Sequence, residues 1–377
     1  MKCMLEAVRG LVTRCGGGRS RWIAVIAGLA CVLLALNATT AMAGGDENQP
    51  FLPSPVQSVS TVPANGDVNP YGVAFVPAQF PGTSVSPGDI LISNFNNSNN
   101  LQGTGTTIVR IPASGKLSVF FQSETPVGLT TALNILRKGF VLVGNFPSTD
   151  GTCGTAQAGS ILVIDKNGHQ VSSIVDSSIQ GPWDSALFDQ GNSAKLFVAN
   201  GLSGTVVRLD LKVSSGGVSV ADVTQIASGY LHQCDPVTFV DAPTGLVYDP
   251  LRDVLYVAST NDNAVYAVAD AGTTERDRGT GRIVYQDSAH LHGPLGMIMA
   301  PNGHLVVSNN DAINPDPNQP SELVEFTIGG KFVKQISVDP NFGGSFGLGV
   351  MTAGDVSRFA AVDDNASVLL IWTLQLP

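Results

Sequence analysis

The chain has 377 residues, with 20 Lys and Arg against 30 Asp and Glu, a formal charge of −10, and a charged fraction of only 13%. An acidic surface of this kind repels nucleic acid and anionic lipid, so neither is an expected partner. The 42 glycines and the lack of a sustained helical period exclude a mainly helical fold and suit many short strands joined by tight turns.

Residues 1–43 read as an export signal. Arg9, Arg14, Arg19 and Arg21 precede the apolar run "WIAVIAGLACVLLAL" at 22–36, and "AMA" stands before Gly44 like a small-residue cleavage site. The apolar run is shorter than the ~20 residues a helix needs to span a bilayer, although an uncleaved anchor is the alternative. The expected route is the general secretory one, the expected location is periplasmic or secreted, and no stable membrane insertion is expected after cleavage. Processing leaves 15 Lys and Arg against 29 Asp and Glu. Residues 44–54 then form a leader. Cys153 and Cys234 are the two cysteines of the mature chain, and in an oxidising compartment an even pair suggests one disulfide, with two free thiols as the alternative.

Residues 255–270, "LYVASTNDNAVYAVAD", begin a pattern that recurs along the chain. "ILISN" at 90–94, "VLVGN" at 141–145, "LFVAN" at 196–200, "LVVSN" at 305–309 and "FAAVD" at 359–363 align with "LYVAS" at 255–259. Each copy follows a turn leading into an apolar strand: "NPYGVAF", "TPVGLTT", "GPWDSALF", "APTGLVY", "GPLGMIM" and "SFGLGVM". The turn anchors are Gly72, Gly128, Asp184, Gly245, Gly296 and Gly347, at spacings of 56, 56, 61, 51 and 51 residues. A third strand and usually a fourth follow each copy. Four strands per unit of about fifty residues is the pattern of a propeller blade.

The expected fold is therefore all-β, a six-bladed β-propeller of four-stranded antiparallel blades. The blades fall near 69–122, 125–177, 180–230, 239–288, 291–338 and 341–377. The last copy lacks a fourth strand, and "PVQSVSTVP" at 55–63 is an alternating strand without another partner. It is expected to supply that outer strand and close the ring. Asp184 breaks the glycine rule of the anchors, either as a substitution tolerated in a wider turn or as a carboxylate set on the axis.

"PTGLVYDPLRDVLYVASTNDNAVYAVA" and "GPLGMIMAPNGHLVVSNN" resemble NHL-type repeats and the six-bladed, TolB-like propellers of the SMP-30/gluconolactonase and streptogramin-lyase groups. The resemblance covers residues 55–377. It is specific for architecture and weak for activity, because these groups contain lactonases, lyases and binding scaffolds. It implies a functional face formed by loops entering the first strand of each blade and loops leaving the second. That face is expected to carry Asn69, Tyr71, Trp183 and Asp241 from the entering loops, with Asn94, Asn145 and Asn309 from the leaving ones. Each asparagine has an alternative role as a turn former.

The lactonase resemblance also implies an axial divalent cation held by oxygen ligands. Glu124, Asp184, Asn200 and Asp363 are the candidates, and Ca2+ or Mg2+ is the cation such a set prefers. The first-blade glutamate of that family has no match, since Asn69 and Tyr71 stand there. The streptogramin-lyase resemblance asks for histidines. His290 and His292 in "AHLHGP" lie on the same side of an extended chain, as base and acid, as metal ligands, or as a polar turn at a blade junction. His232 is expected at the surface, and His169 and His304 at hairpin tips.

No G-x-S-x-G, G-x-x-x-x-G-K, His-Glu-x-x-His or Cys-x-x-Cys motif is present. Two functions remain. The first is an exported, monomeric binding scaffold whose loop-rich axial face takes a small-molecule or protein ligand. The second is a metal-dependent hydrolase or lyase acting on a small ester or lactone at the axis.

Overall fold

The structure, a computed structural model, describes residues 49–52, 57–82 and 84–376. The export signal expected over residues 1–43 lies outside them. Among the described residues no helix is long and apolar enough to cross a membrane; one 3-10 turn at Cys153–Thr155 is the helical content.

Six four-stranded antiparallel sheets form the blades. Blade 1 comprises Val68–Phe75, Ile90–Asn96, Thr107–Ile111 and Ser118–Gln122, and blade 2 comprises Leu133–Leu136, Phe140–Asn145, Ser160–Asp165 and Gln170–Ile174. Blade 3 comprises Pro182–Asp189, Ser193–Asn200, Thr205–Ser214 and Gly217–Ser228, and blade 4 Pro243–Asp249, Val254–Ser259, Ala264–Ala269 and Arg282–Gln286. Blade 5 comprises Pro294–Met299, Leu305–Asn309, Glu322–Phe326 and Phe332–Ser337. Blade 6 takes Ser345–Ala353, Val356–Asp363 and Val368–Gln375 from the C-terminal end of the chain and Gln57–Ser60 from its start. The register runs from Gln57 opposite Ile371 to Ser60 opposite Val368, so the ring closes by pairing the two ends of the chain, as the sequence suggests.

The near-continuous apolar character of the second strands follows from this arrangement. Successive side chains of a strand point to opposite faces, and in a ring both faces of a blade are covered by neighbours. Ile90 and Ile92 pack into the seam with blade 6, while Leu91 between them packs into the seam with blade 2. In blade 4, Leu255 and Val257 face blade 3, and Tyr256 and Ala258 face blade 5. The buried apolar side chains of the described residues form six such inter-blade clusters and a seventh on the axis.

The innermost strands approach one another closely. A Cβ on Gly347 would stand 1.6 Å from the Tyr71 carbonyl, and one on Gly72 would stand 2.7 Å from Ser93 Oγ and 2.9 Å from the Thr131 carbonyl. These glycines are therefore fixed by blade-to-blade contact rather than by a turn. Gly128 does not hold the equivalent place in blade 2. Leu133 pairs with Val143 as Val73 pairs with Ile92, which puts Ala132 at the anchor. Gly144 faces it across the blade, and a Cβ there would meet that of Ala132 at 2.9 Å, so the space gained on one strand is used on the other.

Of the segment read as a leader, Phe51 and Leu52 are docked on the propeller. The Glu325 carboxylate, fully buried in blade 5, accepts hydrogen bonds from Phe51 N (2.8 Å) and Leu52 N (2.9 Å), and the Phe51 ring meets Phe359 edge-on at 5.4 Å.

Candidate functional site

An aromatic septum crosses the axis. Tyr71, Trp183 and Leu295 from inner strands, Phe95 and Phe146 from the far ends of second strands, and Phe239 pack together in one cluster, with Phe346 against it. Trp183 Nε1 donates to Tyr71 Oη at 3.0 Å, which satisfies a buried polar group on each ring. Phe239 belongs to a two-stranded ribbon, Gln233–Asp235 and Phe239–Asp241, inserted before blade 4. It sits at φ 71°, an uncommon conformation for a bulky side chain. A disulfide joins Cys234 of the ribbon to Cys153 in the loop after the second strand of blade 2, with Cα atoms 5.5 Å apart. The ribbon and its bridge hold Phe239 against Phe146, ring centroids 5.4 Å apart.

Two recesses lie back to back across this septum, and Tyr71 and Trp183–Asp184 mark the division. The first is an axial cavity of 470 Å³ walled by the inner strands, reaching from Tyr71 to the strand ends at Asp189, Met299 and Met351. Asp184 lines it, so the break in the glycine rule does put a carboxyl on the channel wall. Burial pushes this carboxyl up to about 8, against the opposing effect of the Ser185 N–H. Burial, and then the Asp184 charge, hold the Tyr71 phenol well above its ordinary range. Asp189, the other cavity carboxylate, pairs with Arg137 (Nε to Oδ2, 3.3 Å).

The second recess, 280 Å³, opens on the loop-rich face. Its floor is Tyr71, Phe95, Trp183 and Phe346, and its rim includes Asn69, Asn96, Asn100, Gln102, Asp364 and Asn365. Two oxygens in this lining, Asn69 Oδ1 and Asp364 Oδ1, are buried and have no hydrogen-bond partner in the protein. Burial pushes the Asp364 carboxyl up to about 8, and the neighbouring Asp363 charge adds to the effect. Asn69 itself stands at φ 59°, a left-handed conformation that asparagine tolerates better than most residues.

The asparagines that end the second strands serve mainly as clamps. Asn94 Nδ2 donates to Thr61 O, Asn145 Nδ2 to Val127 O, Asn200 Nδ2 to Ser178 O and Asn309 Nδ2 to His290 O, at 2.8, 2.6, 2.8 and 2.8 Å. In each case the carbonyl belongs to the loop leading into the same blade. Asn200 is fully engaged, since its Oδ1 accepts from Gln180 N at 2.9 Å. Among the residues expected to hold an axial cation, Glu124 is exposed and Asp184 faces the axial cavity. Asp363 is buried at the end of its strand, accepting from Ala366 N at 3.2 Å, so the four do not converge. Asp241 is also buried, held up by that burial and bonded to Thr238 Oγ1 at 2.7 Å.

His290 and His292 part company. His290 Nδ1 lies 2.7 Å from Asp287 Oδ2 and 3.0 Å from Tyr285 Oη, and its ring stacks on Phe332 at 3.9 Å. His292 is buried with Asp311 and Glu322, and donor atoms of the three all lie within 4.8 Å of one another. Neither carboxylate was legible as a partner of His292, although Glu322 leaves a trace in the repeat. It stands opposite Asn309, where blades 1 to 3 have Thr107, Ser160 and Thr205. His304 is no simple hairpin tip either: it is buried, with Nδ1 2.6 Å from Glu325 Oε1.

No protein-family model matches the chain, and no curated protein matches it in sequence. Solved structures share its fold. A putative oxidoreductase (glucose dehydrogenase) from Thermus thermophilus superposes with a TM-score of 0.52 at 13% identity, covering 85% of this chain and 100% of that one. A calcium-binding protein, regucalcin, from Agrobacterium tumefaciens superposes with a TM-score of 0.51 at 12% identity, covering 85% of this chain and 95% of that one. At such identities the likeness is one of architecture, a six-bladed β-propeller.

Proposed function

We propose that the protein is an exported binding propeller that takes a small ligand rich in hydroxyl or amine donors into the loop-face recess. The observation that carries this reading is the pair of unpartnered oxygens, Asn69 Oδ1 and Asp364 Oδ1, on the rim of an aromatic-floored recess. A buried acceptor without a partner costs about 1–3 kcal/mol, and a ligand donor recovers that cost. The rings below suit the apolar face of a saccharide-like ring, and the volume of 280 Å³ fits one such ring. The acidic chain favours neutral or cationic ligands over anions. The basic and apolar start of the chain and the cysteine pairing support export.

The test is a panel of neutral and amino sugars and polyols, read by melting temperature and by Trp183 fluorescence. A hit whose affinity falls at least tenfold in both Asn69→Ala and Asp364→Asn supports the reading. A panel without hits, or a hit that both variants bind unchanged, overturns it. The alternative, metal-assisted hydrolysis or lysis at the axis, rests on fewer groups: Asp184 is the one cavity carboxyl without a cationic partner, whereas hard divalent cations take six or more oxygen ligands.

A further inference from the structure

We propose that His292, Asp311 and Glu322 form a structural site for one divalent cation of the zinc class at the seam between blades 5 and 6. The three residues reach one point from three segments: the loop entering blade 5, the loop after its second strand, and the start of its third strand. Their relative exposures are 1%, 8% and 0%, so all three are withdrawn from water. Each presents a buried atom without a hydrogen-bond partner, namely His292 Nδ1, Asp311 Oδ1 and Glu322 Oε1.

Two of these atoms, His292 Nδ1 and Glu322 Oε1, are 2.9 Å apart yet lack the alignment of a hydrogen bond. That is the relation expected of two donors aimed at a common third atom. Ligand atoms bound tetrahedrally to one ion at about 2.1 Å stand about 3.4 Å apart, so the widest separation allowed here, 4.8 Å, closes with a combined side-chain shift of about 1.4 Å or less.

The remaining polar atoms behave as an outer shell. Asp311 Oδ2 accepts from Ser321 N (2.9 Å) and Gly343 N (3.0 Å), which fixes the carboxylate and ties the entry of blade 6 to it. Asn309 Nδ2 lies 3.3 Å from Glu322 Oε2, and Asn309 Oδ1 is a fourth unpartnered buried atom beside the cluster. Two buried carboxylates and one imidazole are short of positive charge, and a dication supplies it. One nitrogen with two carboxylates suits Zn2+ better than Ca2+ or Mg2+, which prefer oxygen alone. Blades 1 to 3 hold a small hydroxyl where blade 5 holds Glu322, so the carboxylate is not a requirement of the blade itself.

The experiment uses untagged mature protein. After chelation and desalting, Zn2+ is titrated calorimetrically into the wild type, Glu322→Gln and His292→Asn, with circular dichroism to check folding. Expected are one Zn2+ per wild-type chain, a melting temperature that chelation lowers and Zn2+ restores more than Ca2+ does, and affinity at least a hundredfold weaker in both variants. A wild type that takes up no Zn2+, or takes up Ca2+ as tightly, overturns the proposal. So does a folded Glu322→Gln chain that binds Zn2+ as the wild type does. None of these readouts involves Asn69 or Asp364, so the site stands or falls apart from the ligand recess.

Discussion

Trp183 in blade 3 donates its indole N–H to the hydroxyl of Tyr71 in blade 1, across the centre of the ring, with the two ring planes at 90° and centroids 6.0 Å apart. The septum that divides the axis is thus built from blades that are not neighbours. Trp183→Phe keeps most of the ring but leaves the buried Tyr71 hydroxyl without this donor, at an expected cost of about 1–2 kcal/mol. Trp183→Ala also leaves a cavity and is expected to cost about 3–5 kcal/mol. Urea denaturation of both variants checks the order; equal midpoints for Trp183→Phe and wild type would show that the bond adds nothing.

Asp184 makes stability depend on pH. The carboxyl titrates at about 8 in the folded chain, against about 3.9 in the unfolded one. Below pH ~4 both states hold the proton and the group is neutral to stability. Between ~4 and ~8 only the unfolded state releases it, so stability falls as pH rises, and above ~8 the penalty is constant. Asp184→Asn removes the slope while retaining an oxygen for the Ser185 N–H. Its stability relative to wild type should therefore climb from pH 4 to pH 8 and then level off. A difference that stays constant over that range contradicts the assignment.

The asparagine clamps differ in how much they hold. Asn200 bonds Ser178 O, Thr205 Oγ1 and Gln180 N, whereas Asn94 bonds Thr61 O and leaves its Oδ1 without a partner. Asn200→Ala is expected to cost about 2–4 kcal/mol and Asn94→Ala about 1–2 kcal/mol. Matched chemical-denaturation curves decide this; the reverse order would mean that the loop carbonyls find other donors.

The chain start contributes at two levels. A chain beginning at residue 53 loses the Phe51 and Leu52 amides that face Glu325 and the Phe51 ring on Phe359, at an expected cost of about 2–4 kcal/mol with a transition that stays cooperative. A chain beginning at residue 65 also lacks Gln57–Ser60, and its melting should broaden as blade 6 loses its outer strand. Scanning calorimetry on the two truncations tests this, and a sharp unchanged melt for the shorter chain would refute the closure's energetic role.

Reduction of the Cys153–Cys234 bridge frees a loop of 81 residues in the unfolded chain, for which chain entropy predicts a loss of about 4.5 kcal/mol. Melting with and without reductant measures it. Protease cleavage in the 233–241 ribbon should increase in parallel, and a ribbon that stays protected would show that its packing against the septum suffices.

Blade number and closure were legible because each seam imposes the same demand on every copy. "LYVAS" and "ILISN" read alike since both faces of the strand are buried. The anchor in blade 2 was misplaced because Ala132 and Gly144 exchange the small residue between strands, which a pattern fixed on one strand does not register. The asparagines were visible, but their clamp role was not, since the loop carbonyls they hold carry no sequence mark. Glu322 lies thirty residues after His292 beyond a long Asn- and Pro-rich loop, and only its departure from Thr107, Ser160 and Thr205 hinted at a special position. The recess depends on an inserted ribbon whose packing no repeat pattern dictates.

Because Gln57 pairs with Ile371, the first blade-forming strand of the described residues must wait for a partner 314 positions later in the chain. Until then Gln57–Ser60 has no strand to pair with and the seam between blades 6 and 1 is incomplete. A chain that stops before Val368 therefore exposes open strand edges at two ends of an unfinished ring, which invites self-association. The same late pairing keeps a nascent chain from locking its ring before Val368–Gln375 has been made.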